Sequence, residues 1–410
     1  MESAVKNEGN SRITVAASNS TEKLKKCADV VCSGENDEIT IQSVIDRCAV
    51  EKKDIYLLNG TYHIDGFYDF KDGGPKAAIC FPNNRQEMAV IGQSLTYGKT
   101  DSGVILYVSH KALEQVDDIH YDVIRTAWTE RGIGNGSALC IENMYIGLSH
   151  NKKPVRCIDL RRCDRPELKN IRLCAYVDMP AGLGNPPDVA VEGCIGLTMT
   201  DGSNYHYSNY TNVNASGFYE GIQVGGEHVV MINCAAIMNY YGYTFGNYEI
   251  NCGANHPITM INCMDERNVN LPLFNMCGDG DKDGNRIQGN QEVTMISFNI
   301  EYIAQQTQGK AQGHRMKEVY PGTWRGNIDF TIQPAWNHLN TEDFQLWEND
   351  GSGMGFKTRN NCHKLICSAK ERNGYYPTYG QQIFDTDLNK MLICIDPENK
   401  KWVDYNGNEV

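Results

Sequence analysis

The sequence lacks long apolar runs, an excess of basic residues and closely paired cysteines. No stretch approaches the roughly eighteen consecutive apolar residues of a membrane-spanning helix. Lys and Arg number 38 against 51 Asp and Glu, a formal net charge of −13, whereas a nucleic-acid-binding surface needs basic charge. We therefore expect neither nucleic acid nor membrane as a partner, while a neutral sugar is compatible with this charge.

Sixteen cysteines are present, but none forms the paired spacing that a zinc knuckle requires. Several lie one by one in apolar, strand-like runs: Cys140, Cys174, Cys194, Cys234, Cys252, Cys263 and Cys277. Such single thiols indicate core packing and a reducing compartment. The first twenty residues also lack a basic segment followed by an apolar one. No secretory signal is therefore predicted, and we expect a cytoplasmic location.

Apolar residues make up 41% and charged residues 22% of the 410 positions, enough for a sizeable buried core. One long helical pattern runs from Asn36 to Val50, with Asn36 or Asp37 as its N-cap. Two β-rich runs joined at an Asn59-Gly60 turn follow it. Short strand patterns separated by Gly, Asn and Asp turns then continue to about residue 370, which predicts an all-β chain.

A six-residue pattern recurs in the middle of the chain, at Val229–Cys234, Ile258–Cys263 and Val293–Phe298. Its irregular spacing favours a solenoid over a β-propeller, whose blades are more regular. It also disfavours a sandwich, whose strands would not repeat a hexapeptide. In a parallel β-helix, each coil buries the same inward positions over those of the coil below. The repeat therefore predicts a parallel β-helix.

The period of two along a strand also predicts which side chains of the repeat face inward. We expect Ile261 and Cys263 to stack inward on their equivalents in the next coil. Met260, Met295 and Asn262 would then point outward, and the methionines would lie on flat sheet faces suited to subunit packing.

The segment Ile13–Ile64 and the run Ala89–Gln93 resemble the opening of right-handed parallel β-helix proteins of the pectate-lyase-like superfamily. In those proteins an amphipathic helix caps the open end and leads into the first coil. The resemblance implies an N-terminal segment (1–35) and a capped right-handed β-helix (36–370). It implies carbohydrate chemistry without fixing the reaction, since members include polysaccharide lyases, glycoside hydrolases, inulin fructotransferases, epimerases and phage tailspikes. The signature of polygalacturonases is absent. Side-by-side homotrimers are frequent in the superfamily, so a homotrimer is expected.

Residues 371–410 break the rhythm of the solenoid and predict hairpins with Asn-containing and Asp-Pro turns. The segment resembles the small terminal module of phage tail fibres and of related bacterial β-helix proteins. This resemblance implies a small C-terminal β cap that covers the edge of the last coil.

Glu266 and Glu301 occupy the same register when the repeats are aligned. In a β-helix they would lie on the outer face of neighbouring coils, about 5 Å apart. Asp265 is a third candidate, provided that its strand end turns it outward. Neighbouring carboxylates repel, so one holds a proton as an acid while the other stays ionised as a base. Glycoside hydrolysis needs this division; solvated or salt-bridged carboxylates are the alternative.

Asp279, Asp281 and Asp283 form a DxDxDG run with Gly284. In calcium loops, alternate aspartates converge on the cation and the glycine permits the sharp turn. The remainder of the twelve-residue loop does not match, so a structural calcium ion and a polar turn between coils stay as alternatives. Hydrolysis itself requires no cofactor.

Aromatic and basic side chains near the acidic residues are predicted to bind sugar, because flat rings pack on sugar C–H groups and Arg anchors ligands. These residues are Tyr240, Tyr241, Tyr243, Arg267, His314, Trp324, Arg325 and Trp336. Core or loop packing is the alternative for each ring.

The sequence thus predicts a carbohydrate-active enzyme, foremost a glycoside hydrolase that cleaves a neutral oligo- or polysaccharide with paired carboxylates. The negative field of the chain would repel a polyanionic substrate. A polysaccharide lyase or fructotransferase-type enzyme on the same fold is one alternative. A non-catalytic, phage-derived glycan-binding tailspike is the other.

Overall fold

The computed structural model describes most of the N-terminal half of the chain and parts of the remainder. The described residues are 11–82, 87–96, 102–117, 121–128, 137–178, 190–199, 207–226, 228–245, 257–266, 268, 273–274, 293–302, 316–318, 328–334, 347–348, 366–369, 372, 382–396 and 398–410. Within these ranges the protein is mostly β, with three helices: α1 (Glu22–Cys27), α2 (Asp37–Glu51) and α3 (His110–Glu114).

Two long sheets account for most of the strands. The first contains β1 (Arg12–Ala16), β2 (Val30–Val31), β3 (Asp54–Leu57), β4 (Gly60–Ile64), β6 (Glu87–Gly92), β7 (Val104–Val108), β9 (Ser137–Leu148), β11 (Cys163–Cys174), β13 (Ser208–Ser216), β15 (Val229–Ile232), β16 (Ala235–Ile237), β18 (Ile258–Ile261), β19 (Met264–Glu266), β21 (Val293–Tyr302) and β23 (Ile328–Pro334). The second contains β5 (Ala77–Phe81), β8 (Tyr121–Thr126), β10 (Val155–Asp159), β12 (Ile195–Thr198), β14 (Glu220–Val224), β17 (Tyr241–Phe245), β20 (Leu273–Phe274), β22 (Met316–Glu318) and β24 (Trp347–Glu348).

The chain passes back and forth between these two sheets, and successive passes pair in parallel. A chain that returns to the same sheet beside its previous pass, always in the same direction, forms stacked coils. The arrangement agrees with the predicted parallel β-helix. Its interior is one continuous core of buried aliphatic, aromatic and cysteine side chains.

An asparagine column bends the first sheet at the same position in five successive coils. Asn143, Asn170, Asn212, Asn233 and Asn262 all have positive φ, between 52° and 58°. Asparagine adopts this left-handed conformation at lower cost than other residues with a Cβ. Side-chain amides link neighbours in the column. Nδ2 donates to Oδ1 of the preceding asparagine at 2.8 Å from Asn170 to Asn143 and from Asn212 to Asn170, and at 2.7 Å from Asn262 to Asn233.

The repeat aligns as predicted, with Val229 beside Ile258 and Ile258 beside Val293. The predicted facing is only partly right. Cys263 is buried, but Met260 is buried as well, and Ile261 is half-exposed. The left-handed corner at Asn262 interrupts the alternation. Ile261 and Asn262 both face outward there, and Met260 and Cys263 on either side of them both face inward.

Met295 is buried in the same way as Met260, at 1% exposure. The expectation that these methionines form flat outer faces is therefore wrong, because both side chains fill the interior. The homotrimer thereby loses the support of the methionines and stays a prediction from the resemblance to the superfamily.

The predicted N-terminal helix is confirmed as α2, whose buried face contains Ile41, Val44, Ile45 and Cys48. Asn36 is its N-cap residue but makes no side-chain capping hydrogen bond. The strands on either side of the Asn59-Gly60 turn do not pair with each other. Each pairs in parallel with another coil, so this turn is a corner of a coil.

A separate small sheet lies at the C-terminal end, as the hairpin pattern predicted. It contains β25 (Ile366–Cys367), β26 (Gln382–Asp385), β27 (Lys390–Asp396) and β28 (Lys401–Asp404). The last three strands are antiparallel. They bury a small core of Ile383, Leu392, Cys394 and Trp402. Its role as a cap stays a prediction.

Candidate functional site

A column of positions near one end of the strands runs along the outer face of the first sheet, with one residue from each coil. In order along the helix it contains His63, Tyr107, Gly147, Cys174, Ser216, Ile237, Glu266, Glu301 and Gln333. We call it the rim column. Its non-glycine members are half-buried wherever the structure describes their side chains, which gives this column a partly accessible surface.

Glu266 and Glu301 are neighbours in the rim column, which confirms the register predicted from the repeats. Adjacent strands of a sheet lie about 4.8 Å apart, so the two residues are one coil apart. Glu266 ends β19 and is half-buried. Ile237 precedes it in the column, and Gln333 follows Glu301. The backbone thus places two carboxylate-bearing residues side by side between uncharged neighbours.

Asp265 faces the interior of the helix. It is 1% exposed, and its Oδ1 accepts a hydrogen bond of 2.8 Å from Nδ2 of Asn268. Its Oδ2 is buried without a hydrogen-bond partner among the described residues. Burial raises the pKa of Asp265 to about 7, and the hydrogen bond from Asn268 offsets this only in part. The expectation that Asp265 turns outward is wrong, because Glu266 takes the outward position.

Two buried asparagines, Asn239 and Asn268, form hydrogen bonds that stabilise the turns that follow the rim column. The backbone N–H and Nδ2 of Asn239 donate to Oδ1 of Asn268, at 2.7 and 3.0 Å. Asn239 Nδ2 also donates to the Ala215 carbonyl at 3.1 Å, and its Oδ1 accepts from the Phe218 N–H at 2.9 Å. These bonds tie three coils together, because each asparagine reaches the backbone of the coil before it.

Three tyrosines cluster on the outer side of these turns. The rings of Tyr219 and Tyr240 stack, with centroids 4.8 Å apart and planes at 8°. Tyr241 stands nearly perpendicular to both, at 6.0 Å from Tyr219 and 5.0 Å from Tyr240. All three side chains are half-buried. Tyr240 follows Ile237 of the rim column by three residues, so the cluster lies near the coil that pairs with Glu266.

Tyr243 does not belong to this surface. It is fully buried, and its Oη donates to the carbonyls of Cys234 and Met264 at 3.0 and 3.1 Å. Its ring packs edge-on against Phe298 in the core. The prediction that Tyr243 contacts sugar is therefore wrong, because the strand turns it inward after Tyr241.

Tyr219 was not among the site residues predicted from the sequence. The pairing of Glu220 with Tyr241 places Tyr219 beside Tyr240. Finding this pairing would require aligning residues 208–213 with Val229–Cys234, and only the asparagine is identical in the two hexapeptides. That single match was too weak a signal.

A second titratable cluster lies at the opposite end of the rim column, and no motif of the sequence predicted it. Tyr107 Oη donates to Oδ2 of Asp178, and Nε2 of His110 lies 3.6 Å from the same oxygen. The His150 ring is 5.3 Å from that of His110. Desolvation, followed by the charges of His110 and Lys152, lowers the pKa of His150. Its Nδ1 accepts the Lys152 N–H, so the neutral ring carries its proton on Nε2.

The second sheet contains a buried network of opposite charges. Arg156 Nε donates to Asp122 at 2.9 Å, and Arg161 donates to both oxygens of Asp159 at 2.7 to 3.0 Å. Burial raises the pKa of Asp122 to about 6 despite Arg156. Burial alone would raise the pKa of Asp159, but Arg161 and Arg156 outweigh it and hold that pKa below its usual value. We interpret this network as structural, because every member is buried.

The remaining predicted residues fall outside the described ranges. For the sugar-binding predictions these are Arg267, His314, Trp324, Arg325 and Trp336, and for the calcium prediction they are Asp279, Asp281 and Asp283.

Among the described residues, no group of three His, Cys, Asp or Glu side chains is arranged to hold a metal ion. The twelve cysteines whose side chains the structure describes are free thiols, and nine of them are buried. The described helices include none that is long and apolar enough to cross a membrane.

Comparison with known proteins adds little to this picture. No protein-family model matches the chain, and no curated protein matches it. One solved structure, tailspike protein 3 of bacteriophage CBA120, aligns over 90% of this chain and 67% of its own, with 9% identity and a TM-score of 0.16. A TM-score this low carries no argument. The assignment of the β-helix therefore rests on strand pairing.

Proposed function

We propose that the protein is a glycoside hydrolase that cleaves a neutral oligo- or polysaccharide with Glu266 and Glu301. The observation that supports this most strongly is the pairing of the two residues in adjacent coils of the rim column. The strand spacing of about 4.8 Å is close to the carboxylate separation of retaining glycosidases, about 5 Å. Half-burial of Glu266 is the exposure expected of a group that contacts both protein and substrate.

In such a reaction, one carboxylic acid protonates the glycosidic oxygen. The second carboxylate attacks the anomeric carbon or activates a water molecule. Repulsion between two neighbouring carboxylates favours the protonated form of one of them, so a pair of this kind would supply both roles. The tyrosine cluster would hold a sugar ring beside the pair, since aromatic faces pack on sugar C–H groups.

The test compares Glu266→Gln and Glu301→Gln with the wild type on a panel of neutral and uronic-acid oligosaccharides, measured as release of reducing ends. Each change removes an ionisable group and keeps the volume, so turnover should fall by about a hundredfold or more while melting curves stay unchanged. Glu167→Gln is the matched control, because Glu167 is an exposed residue of the same sheet and should retain full activity. Wild-type rates in both variants would contradict the proposal.

A non-catalytic glycan-binding protein is the second candidate, and the tyrosine cluster favours it. That cluster offers aromatic rings for contact with a sugar whether or not the carboxylates act on a substrate. Binding of a neutral oligosaccharide without product formation would select this candidate. A lyase would instead form an unsaturated product, and chelator would abolish it if calcium at Asp279, Asp281 and Asp283 takes part.

We further infer that the β-helix is right-handed, because crossover connections between parallel strands of one sheet are right-handed in nearly all proteins. We propose kinship with the pectate-lyase-like superfamily on this inferred hand and on the presence of the N-terminal helix α2.

A further inference from the structure

The tyrosine cluster combines two stacked rings with a third ring nearly perpendicular to them. The three centroid distances of 4.8, 5.0 and 6.0 Å form a compact triangle. Tyr241 therefore stands beside the stacked pair, nearly perpendicular to both rings. All three side chains are half-buried, so each keeps a part of its surface accessible. The Tyr219 and Tyr241 rings are set at 82° to each other.

Two glutamates give this cluster a negative surrounding. Glu220 pairs with Tyr241 in the sheet, and Thr244 and Gln223 donate to its Oε2 at 2.7 and 2.9 Å. Glu192 is exposed, and its charge is among the causes that raise the pKa of Tyr219 and of Tyr241. Burial, followed by Tyr241, Glu192 and other neighbours, raises the pKa of Tyr219 to about 12. The pKa of Tyr241 is raised as well, by burial first and then by Tyr240, Glu220 and Glu192. The charges that act on these two phenols among the described residues are those of the carboxylates of Glu192 and Glu220.

We propose that Tyr219, Tyr240 and Tyr241 form a sugar-binding subsite that accepts an uncharged pyranose and rejects a uronic acid through Glu192 and Glu220. Aromatic faces pack on the C–H groups of the sugar, and its hydroxyls donate to the carboxylates. A sugar carboxylate would be repelled by both glutamates. This inference rests on the proposed glycan function and adds to it the subsite and the class of sugar.

The test is isothermal titration calorimetry with hexasaccharides of galactose, glucose, mannose and xylose, and with hexagalacturonate as the acidic counterpart of the galactose probe. The Glu266→Gln/Glu301→Gln double variant serves as the background, so that turnover does not disturb binding. In this background we compare Tyr240→Ala and Tyr219→Ala with Tyr207→Ala. Tyr207 is the matched control, because it is 70% exposed and its ring contacts His228 outside the cluster.

At least one neutral hexasaccharide should bind, and Tyr240→Ala and Tyr219→Ala should each weaken it by about tenfold or more. Tyr207→Ala should leave the affinity within about twofold. Hexagalacturonate should bind at least about tenfold more weakly than galactohexaose, and Glu192→Gln should narrow that difference. If Tyr240→Ala fails to fold, Tyr219→Ala in the preceding coil decides the question.

Three results would overturn the subsite: no neutral probe binds, both cluster variants bind like the control, or hexagalacturonate binds as tightly as galactohexaose. Tyrosine-dependent binding without any cleavage by the wild type would refute the hydrolase and leave the subsite standing. Cleavage that neither tyrosine substitution affects would refute the subsite and leave the hydrolase standing.

Discussion

The interior of the helix differs between its N-terminal coils and the coil that contains Asp265. The inward positions one residue before the rim column are Tyr62, Leu106, Ile146, Leu173, Ala215, Ala236 and Asp265. All are buried, and only the last carries a charge-bearing group. Two neighbours make this exception tolerable. Asn268 donates to the carboxylate, and Gly242 leaves room for it, since a Cβ there would lie 2.3 Å from Oδ2.

The largest expected effect comes from transferring this carboxylate to an aliphatic coil. Ile146→Asp would bury a carboxyl group where an aliphatic side chain now packs, and should lower the free energy of unfolding by about 5 kcal/mol at pH 7. Urea denaturation measures the change. Lys169→Asp is the control, because Lys169 is exposed on the outer face of the adjoining strand and should cost less than about 0.5 kcal/mol. If Ile146→Asp lowers the free energy of unfolding by less than about 1 kcal/mol, the two coils tolerate a buried carboxyl group equally well.

The second prediction concerns the pH dependence contributed by Asp265. Its pKa is raised to about 7 in the folded protein from an ordinary 3.8, so the folded state binds the proton more tightly than the unfolded state. The associated stability is complete below pH 4 and is lost as the pH rises to about 7, by at most roughly 4 kcal/mol. In Asp265→Asn, this part of the slope should vanish from urea midpoints measured between pH 4 and 8. An unchanged slope would show that Asp265 titrates normally.

A smaller effect is expected from the turn network behind the tyrosines. Asn239→Ala removes the acceptor of the Phe218 N–H and the donor to Ala215, leaving buried groups unpaired. We expect a loss of about 3 kcal/mol in the free energy of unfolding. Asn209→Ala is the control, because Asn209 is an exposed asparagine of β13. Equal free energies of unfolding in the two variants would show that the hydrogen bonds of Asn239 do not stabilise the fold.

Features that depend on the repeated hexapeptides could be predicted from the sequence, whereas features that depend on the backbone corners or on weakly matching coils could not. Three near-identical hexapeptides predicted the coil register, and with it the pairing of Glu266 and Glu301. Which side chains face the interior could not be predicted from a period of two, because the left-handed corner at Asn262 resets the alternation. This is why Met260 was assigned to the outside. Tyr219 was missed because its coil shares only the corner asparagine with the next repeat, so the tyrosine cluster became visible only in three dimensions.

Mass spectrometry of products formed in heavy-oxygen water tests whether the paired glutamates hydrolyse a glycosidic bond. The probe is a neutral hexasaccharide that the protein binds. We predict that the wild type forms products with one heavy oxygen at the new reducing end, and that Glu301→Gln forms at least about a hundredfold less. Unsaturated products without heavy oxygen, equal yields from both proteins, or no product despite binding would contradict the claim.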